Sequence, residues 1–257
     1  MSNTALVKLA VMKLLNEKYG ITEDDFTSAE LEAVPAVKAT DIGLDRSMIL
    51  GYGQDDSVCA YTSLAAMLDV NDPEYTSCCL LVDKEEIGSV GASGMHSLFF
   101  ENLVAELVAL TTGAESDLKV RRALANSRML SSDVSAGFDP LYPEVFEKRS
   151  SAFFGKGLVF NKFTGSRGKS GSNDASAEVV GKLRKIFADN GVVWQMSELG
   201  KVDQGGGGTV AQYMANRNID TIDAGTPVFS MHAPFETVTK FDCYQTYKAM
   251  WAFYKDR

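Results

Sequence analysis

The sequence lacks any apolar run that approaches the roughly 20 residues of a membrane-spanning helix. Its first residues, Met1 to Thr4, also lack the basic region, apolar core and cleavage site of a secretory signal peptide. We therefore expect a cytoplasmic protein that has no membrane partner.

Cysteine and basic residues are also scarce. None of the cysteines forms a CxxC pair, so we expect reduced and mostly buried thiols; they are Cys59, Cys78, Cys79 and Cys243. Lysine and arginine number 25 against 34 aspartates and glutamates, which leaves a net charge of −9. This charge argues against nucleic acid as the main partner. The carboxylates of a metal site would contribute to the same negative charge.

What is present is the composition of a globular protein, with 45% hydrophobic and 23% charged residues. The patterns predict strands near 31–37, 77–82, 128–133, 157–163, 192–195, 221–223 and 227–231. They predict helices near 1–20, 55–68, 94–111, 117–125, 174–189, 209–215 and 235–254. This alternation predicts an α/β fold with a largely parallel sheet.

Two adjacent carboxylates, Glu85 and Glu86, follow an apolar run at 78–82 and precede a small-residue stretch at 88–94. The pattern predicts a buried strand that ends in a tight, charged loop. Active sites of α/β proteins usually form at such strand ends. Because adjacent carboxylates repel each other, a nearby cation would relieve the repulsion and let them take different roles.

Other potential ligands also end predicted strands or begin predicted helices. Asp55 and Asp56 follow a glycine turn, Asp133 ends an apolar segment, and His232 follows the strand at 227–231. Each has an ordinary explanation, since aspartate caps helices and turns and a loop histidine often has no role. Taken together with the paired glutamates, they indicate a metal site of carboxylates and imidazole, which suits Zn²⁺, Mn²⁺ or Co²⁺.

Two glycine-rich segments invite a ligand-binding interpretation. Gly168-Lys169-Ser170 ends like a phosphate-binding loop, but Phe163 stands where that motif requires glycine, so a nucleotide site rests on three residues alone. Four consecutive glycines precede Thr209. They would let backbone N–H groups approach a ligand, or they form a flexible surface loop.

Five segments of the chain resemble the M18 metalloaminopeptidases, the group of aspartyl aminopeptidase and yeast aminopeptidase I. In family order and with family-like spacing they are Tyr52–Asp56, Asp83–Ser89, Ser132–Ala136, Gly206–Thr209 and Ser230–His232. The resemblance covers nearly the whole chain, and the segments at 83–89 and 230–232 are the most specific.

The resemblance implies an α/β/α sandwich of the zinc-peptidase type that releases the N-terminal residue of peptides. It implies two divalent metal ions, zinc being expected and manganese or cobalt the alternatives. Asp55 would bridge the ions, Glu86 and His232 would complete one site, and Asp133 would bind the second ion. Glu85 would be the general base that acts on the bridging water.

The resemblance also suggests substrate contacts. Backbone N–H groups near Gly207, Gly208 and Thr209 would stabilise the oxyanion, and Lys169 would contact substrate or a neighbouring subunit. The full-length family members form homo-oligomers, so the same is expected for a full-length form of this protein.

Family members are longer at the N-terminus. The additional part carries the first histidine ligand of the second metal, and His96 does not align with it. Residues 1–47 resemble the tail of an inserted dimerisation domain, and residues 48–257 resemble most of the catalytic domain. We therefore expect a C-terminal portion of such an enzyme, with weak activity of its own. The alternative is an inactive fragment that serves only as a metal-binding or assembly module.

Overall fold

The structure, a computed structural model, describes residues 3–167, 170–201 and 203–256. The chain divides into two compact units, Met1–Ala36 and Val37–Arg257. This boundary lies before the one drawn from the sequence at residues 47 and 48. The dimerisation role of the first segment stays a prediction.

The first unit contains helix α1 (Asn3–Tyr19), which confirms the helix predicted at the N-terminus. The helix ends before Gly20, whose φ of +74° is a left-handed conformation that glycine adopts at little cost. For residues 31–37, where the sequence predicts an irregular or edge strand, the edge-strand alternative is wrong, because these residues are irregular and pair with no other part of the described chain.

The second unit alternates strands and helices. Its strands are β1 (Thr40–Ile42), β2 (Met48–Gly51), β3 (Arg128–Ser131), β4 (Ser135–Ala136), β5 (Leu158–Asn161), β6 (Phe163–Ser166), β7 (Ser170–Asp174), β8 (Trp194–Met196), β9 (Asp220–Gly225), β10 (Pro227–Val228) and β11 (Glu236–Thr239). Its helices are α2 (Gln54–Asp69), α3 (Phe99–Thr112), α4 (Asp117–Ala125), α5 (Ala177–Asp189), α6 (Ala211–Ala215) and α7 (Lys240–Lys255). Among the described residues, no helix is both long enough and apolar enough to cross a membrane.

A four-stranded sheet with the order β3-β9-β5-β8 lies at the centre of this unit. The outer pairs β3–β9 and β5–β8 are parallel, whereas β5 and β9 are antiparallel. The α/β fold predicted from the sequence is therefore confirmed, with a sheet of mixed direction.

Helices cover both faces of the central sheet. Adjacent residues of a strand point to opposite faces. Leu130 of β3 packs in a cluster with Phe187 of α5, whereas its neighbour Met129 packs with Leu124 of α4 and Met214 of α6. The sheet is thus the middle layer of three.

A second sheet, with the antiparallel order β1-β2-β11, lies next to the segments that carry potential ligands. The helix predicted at 235–254 is wrong over its first residues, because 236–239 form β11 and pair with β2. The helix starts only after Thr239, whose hydroxyl oxygen accepts a hydrogen bond of 2.9 Å from the backbone N–H of Asp242.

The buried strand predicted at 77–82 is also wrong. Leu80 and Val82 pack in the cluster beneath α3 and α4, but the segment has no ladder partner among the described residues, and Leu81 is exposed. Residues 77–82 therefore show part of the alternating burial of a strand but belong to no sheet among the described residues. The expectation of mostly buried cysteines is also wrong, since Cys78 is exposed and Cys59 is the fully buried one.

Candidate metal centre

Three separate segments bring potential ligands together at one end of the second unit. Asp55 follows β2 at the start of α2, and His232 lies in the loop between β10 and β11. Glu85 and Glu86 begin a single 3-10 turn, Glu85–Ile87. None of these positions is a strand interior. The side chains project from a helix start, a loop and a turn, although the strand predicted before Glu85 does not form.

The first group of ligand atoms comprises Asp55, Glu86 and His232. The Nε2 atom of His232 lies 2.9 Å from Oδ2 of Asp55 and 3.2 Å from Oε1 of Glu86. One ligand atom from each of the three residues lies within 4.8 Å of the others. Two carboxylate oxygens and one imidazole nitrogen are a donor set that zinc accepts in proteins, so these residues fit such an ion.

The second group comprises Asp55, Asp56 and Asp133, whose ligand atoms also lie within 4.8 Å of one another. Asp55 belongs to both groups, which is the position that a bridging ligand requires. The peptide bond between Asp55 and Asp56 is cis. Oδ1 of Asp56 is buried and has no hydrogen-bond partner among the described residues. This group contains oxygen donors alone, without histidine.

Burial and mutual repulsion shift the titration of these acids. Burial, followed by the charge of Glu86, raises the pKa of Asp55 to about 6. Burial also raises the pKa values of Asp56 and Asp133 above the usual range, and the other carboxylates add to the shift of Asp133. Without a cation this end of the protein therefore gathers acids that resist ionisation together.

Glu85 belongs to neither group of ligand atoms, although it is close enough to interact electrostatically with both. Burial and then the charges of Glu86 and Asp55 raise its pKa. Glu86, by contrast, has a side chain that is 59% exposed and faces His232. The structure therefore gives the adjacent glutamates different environments, which is what the different roles predicted for them require.

The loop that carries the two glutamates is tightly folded. Lys84 has a left-handed φ of +67°, and its carbonyl oxygen accepts a hydrogen bond of 2.6 Å from the N–H of Ser89. The carbonyl oxygen of Ser89 lies so close to Gly94 that a Cβ atom there would overlap with it. The sequence favours small residues here because the backbone passes close to itself.

The family model described as Aminopeptidase I zinc metalloprotease (M18) matches residues 2–254 of the chain. The chain belongs to the M18 family. A probable M18 family aminopeptidase 1 from Clostridium acetobutylicum is 58% identical over 247 residues, which cover 96% of this chain and 53% of that protein.

Solved structures agree with this assignment. The M18 aminopeptidase from Thermotoga maritima superimposes with a TM-score of 0.93 at 43% identity, covering 97% of this chain and 55% of that one. The S. cerevisiae mApe1 dodecamer shares the fold, with a TM-score of 0.71 at 22% identity over 96% of this chain and 55% of that one. The chain spans about half the length of the M18 relatives that it matches.

The glycine-rich segment that precedes Thr209 lies beside the central sheet. The carbonyl oxygen of Gly207 accepts a hydrogen bond of 2.9 Å from the N–H of Gly165. Thr209 is buried next to Asp223, whose Oδ1 accepts a hydrogen bond of 2.7 Å from the hydroxyl of Ser131. Gly208 lies between these contacts, next to the backbone of Gly171. The glycine segment is therefore bonded to strand β6 and lies beside Asp223 of strand β9.

The phosphate-loop interpretation of Gly168-Lys169-Ser170 is not supported by the surrounding fold. Strands β6 and β7 flank these residues and pair antiparallel, so the segment joins the strands of a hairpin instead of leading from a strand into a helix. Gly168 and Lys169 lie outside the described residues, so the contact predicted for Lys169 is not described.

His96 has a packing role. Its ring meets the ring of Tyr213 edge to face, with centroids 4.8 Å apart, and the hydroxyl of Tyr213 donates to the carbonyl of Gly88. Since the sequence contains two histidines, His232 is the one that contributes to the candidate metal centre.

Sequence reasoning missed two buried carboxylates beside the centre, Asp223 and Glu236. Both are 2% exposed. Asp223 ends a predicted strand and is an acid among apolar residues, a signal that was available in the sequence. Glu236 lies within the range where a helix was predicted. Its true position, opposite β2, depends on a strand pairing that the sequence does not show.

Proposed function

We propose that this chain is part of a metal-dependent aminopeptidase that releases the N-terminal residue of peptides. The observation that supports the proposal best is the convergence of Asp55, Glu86 and His232 beside the half-buried Glu85. Membership of the M18 family and the high identity to proteins named as aminopeptidases support the same reaction.

Asp55, Glu86 and His232 would hold one ion, and Asp55 with Asp133 would hold a second. Zinc is the expected metal, with manganese or cobalt as alternatives. When bound, a pair of such ions lowers the pKa of a shared water and polarises the carbonyl of the scissile peptide. Asp56 lies close enough to Asp133 to supply a further oxygen to the second site.

Glu85 is the proposed general base. A base must stay free of metal, lie close to the reacting water and carry a pKa that allows it to take and release a proton. The raised pKa of Glu85 and its position outside both ligand groups support the first and the last of these requirements. It would take the proton of the attacking water and pass it to the nitrogen of the departing amine.

The glycine segment is the proposed binding site for the oxyanion. Backbone N–H groups at Gly207, Gly208 and Thr209 would donate to the oxygen that becomes negative as the water attacks. The hydrogen bond from the N–H of Gly165 to the carbonyl oxygen of Gly207 would hold that segment in place. Contact between Lys169 and substrate or a neighbouring subunit stays a prediction.

A homo-oligomer is the proposed assembly of the full-length protein, with residues 1–47 as part of its dimerisation domain. One structural neighbour is a dodecamer, although at 22% identity it supports the fold alone. A cytoplasmic location likewise stays a prediction from the sequence.

Replacing the base tests the reaction. With zinc, manganese or cobalt added, we expect Glu85→Gln to lower the hydrolysis of an aminoacyl anilide by about 100-fold or more, because the amide takes up no proton. The bound metal, measured by elemental analysis, should be unchanged. Glu106→Gln, at an exposed position of α3, is the matched control and should retain the wild-type rate. Equal turnover by Glu85→Gln and wild type would refute the role of Glu85.

The second candidate function is a metal-binding or assembly module without activity. The observation that favours it is the group of Asp55, Asp56 and Asp133, which contains no histidine. Elemental analysis separates the enzyme from an assembly module, because a stoichiometry near two ions per chain supports the enzyme and a value near zero supports an assembly module, whereas a metal-binding module is recognised by bound metal without turnover. For the chain by itself we expect weak turnover, and full aminopeptidase activity would contradict that expectation.

A further inference from the structure

A buried glutamate outside the ligand set contacts two of the ligand-bearing segments. Glu236 lies in β11 and is 2% exposed. Its Oε1 accepts a hydrogen bond of 2.7 Å from the backbone N–H of His232, and its Oε2 accepts one of 3.2 Å from the backbone N–H of Asp55. A buried carboxylate requires such partners, and here both belong to residues of the candidate metal centre.

Neither of these two backbones is held by regular secondary structure. His232 has a left-handed φ of +66°, which is uncommon for a residue with a side chain. Asp55 lies at the start of α2 but has φ −83° and ψ 104°, outside the helical region. The left-handed conformation of His232 needs support from surrounding groups. The extended backbone of Asp55 is ordinary but lies outside the hydrogen-bond pattern of α2, and Glu236 supplies a hydrogen bond to each residue.

The strand pairing explains how one side chain reaches both segments. Glu236 lies opposite Gly51 in the ladder between β11 and β2. Gly51 is the last residue of β2, from which the chain continues to Asp55, and the turn with His232 leads directly into β11. Glu236 therefore lies opposite the residue that leads into the segment of Asp55 and directly follows the segment of His232.

We propose that Glu236 is a positioning residue that holds the backbones of Asp55 and His232 so that their side chains converge on one metal ion. The inference rests on the proposed metal centre and extends it. Glu236 is not a ligand in this arrangement, because each of its oxygens already accepts a backbone hydrogen bond. The 2.9 Å approach between Nε2 of His232 and Oδ2 of Asp55 is the geometry that it would maintain.

Asp242 offers a matched control within the same chain. It is also fully buried, and its carboxylate accepts hydrogen bonds of 2.8 and 2.7 Å from the backbone N–H groups of Gly155 and Gly157. Neither glycine belongs to the candidate metal centre. Glu236→Gln and Asp242→Asn remove the same charge and replace one acceptor oxygen by an NH₂ group, so a merely structural role predicts the same behaviour for both.

The experiment measures Co²⁺ binding by the full chain, using competition with a chelating dye and the visible absorption of bound Co²⁺. Urea unfolding without metal is measured in parallel. We expect both variants to lose stability, but Glu236→Gln alone to weaken Co²⁺ binding by about 10- to 100-fold and to change the absorption spectrum. Asp242→Asn should keep the affinity and spectrum of the wild type.

Several outcomes would overturn the inference. These are wild-type affinity and spectrum in Glu236→Gln, or an equal loss of affinity in Asp242→Asn. If Glu236→Gln does not fold, Glu236→Asp replaces it and should show the same weakened binding, since the shorter side chain cannot span both N–H groups. If neither Glu236→Gln nor Glu236→Asp folds while Asp242→Asn does, Glu236 stabilises the whole fold and is not specifically a positioning residue of the metal centre. A wild-type chain that binds no Co²⁺ would refute the metal centre itself.

Discussion

At the residue scale, neighbouring carboxylates acquire different chemistry from their surroundings. Glu85 and Glu86 are adjacent, but the turn that contains them lies between two left-handed residues, Lys84 and Gly88. This turn directs Glu86 towards His232, where it is exposed, and leaves Glu85 half-buried with a raised pKa. A base and a ligand can therefore come from consecutive positions.

Asp133 shows that placing several acids together without a cation destabilises their ionised forms. Burial and the charges of Asp56 and Asp55 raise its pKa well above the usual range. At about pH 8 without metal, we expect Asp133→Asn to increase the free energy of unfolding by about 1 kcal/mol, because the amide is neutral without having to retain a proton on folding and donates to the remaining carboxylates. Urea unfolding in the presence of a chelator measures the change.

Asp117→Asn is the control for this substitution. Asp117 is exposed and pairs with Arg121 at the start of α4, so its removal should change stability by less than about 0.5 kcal/mol. A lower stability of Asp133→Asn than of wild type, both free of metal, would show that repulsion at this site is not significant.

At the element scale, local signals predicted helices well and strand pairing poorly. Helix α4 occupies the predicted range 117–125, because Ser116 caps it and its apolar spacing is local information. Residues 77–82 and 236–239 were predicted wrongly. Whether such a segment forms a strand depends on a partner elsewhere in the chain, which local periodicity does not contain.

The loop that carries Glu85 and Glu86 depends on a close approach at Gly94. A Cβ atom there would overlap with the carbonyl oxygen of Ser89, which also accepts a hydrogen bond from the N–H of His96. We expect Gly94→Ala to destabilise the protein by about 1–3 kcal/mol and to weaken zinc binding, because the loop must move. Thermal unfolding and zinc titration measure the two effects.

Gly181→Ala is the matched control for Gly94→Ala. Gly181 lies inside α5, and a Cβ atom there would meet nothing within 4 Å. The substitution should stabilise the helix by about 0.5–1 kcal/mol and leave zinc binding unchanged. If Gly94→Ala behaves like Gly181→Ala, the tight loop does not support the ligand geometry.

At the scale of the whole molecule, distant segments bring several buried acids to one end of the second unit. The sequence indicated Asp55, Glu86, Asp133 and His232 because each follows a predicted strand or begins a predicted helix. The distances between them, and the support from Glu236, could not be derived in this way. Both depend on which strands become neighbours in the folded chain.

This arrangement makes the stability of the metal-free protein depend on pH. Burial raises the pKa of Asp55 to about 6 and that of Asp223 to about 7. An acid with a raised pKa binds more protons in the folded state, so the free energy of unfolding falls as pH rises from the ordinary pKa of aspartate, near 3.8, up to these values. We expect the melting temperature in chelator to decrease between about pH 4 and about pH 7.

Zinc should reverse this trend. Binding requires deprotonated ligands, so affinity and the resulting stabilisation should increase over the same pH range. Melting temperatures recorded with and without zinc should therefore diverge as pH rises. A metal-free melting temperature that increases over that interval would contradict the raised pKa values.

The most direct test of the metal centre compares the two histidines of the chain by zinc titration. We expect His232→Ala to weaken zinc binding by about 100-fold or more, because it removes the nitrogen ligand that meets Asp55 and Glu86. His96→Ala should bind zinc like the wild type, since His96 packs against Tyr213. Equal zinc affinities of His232→Ala and wild type would contradict the account.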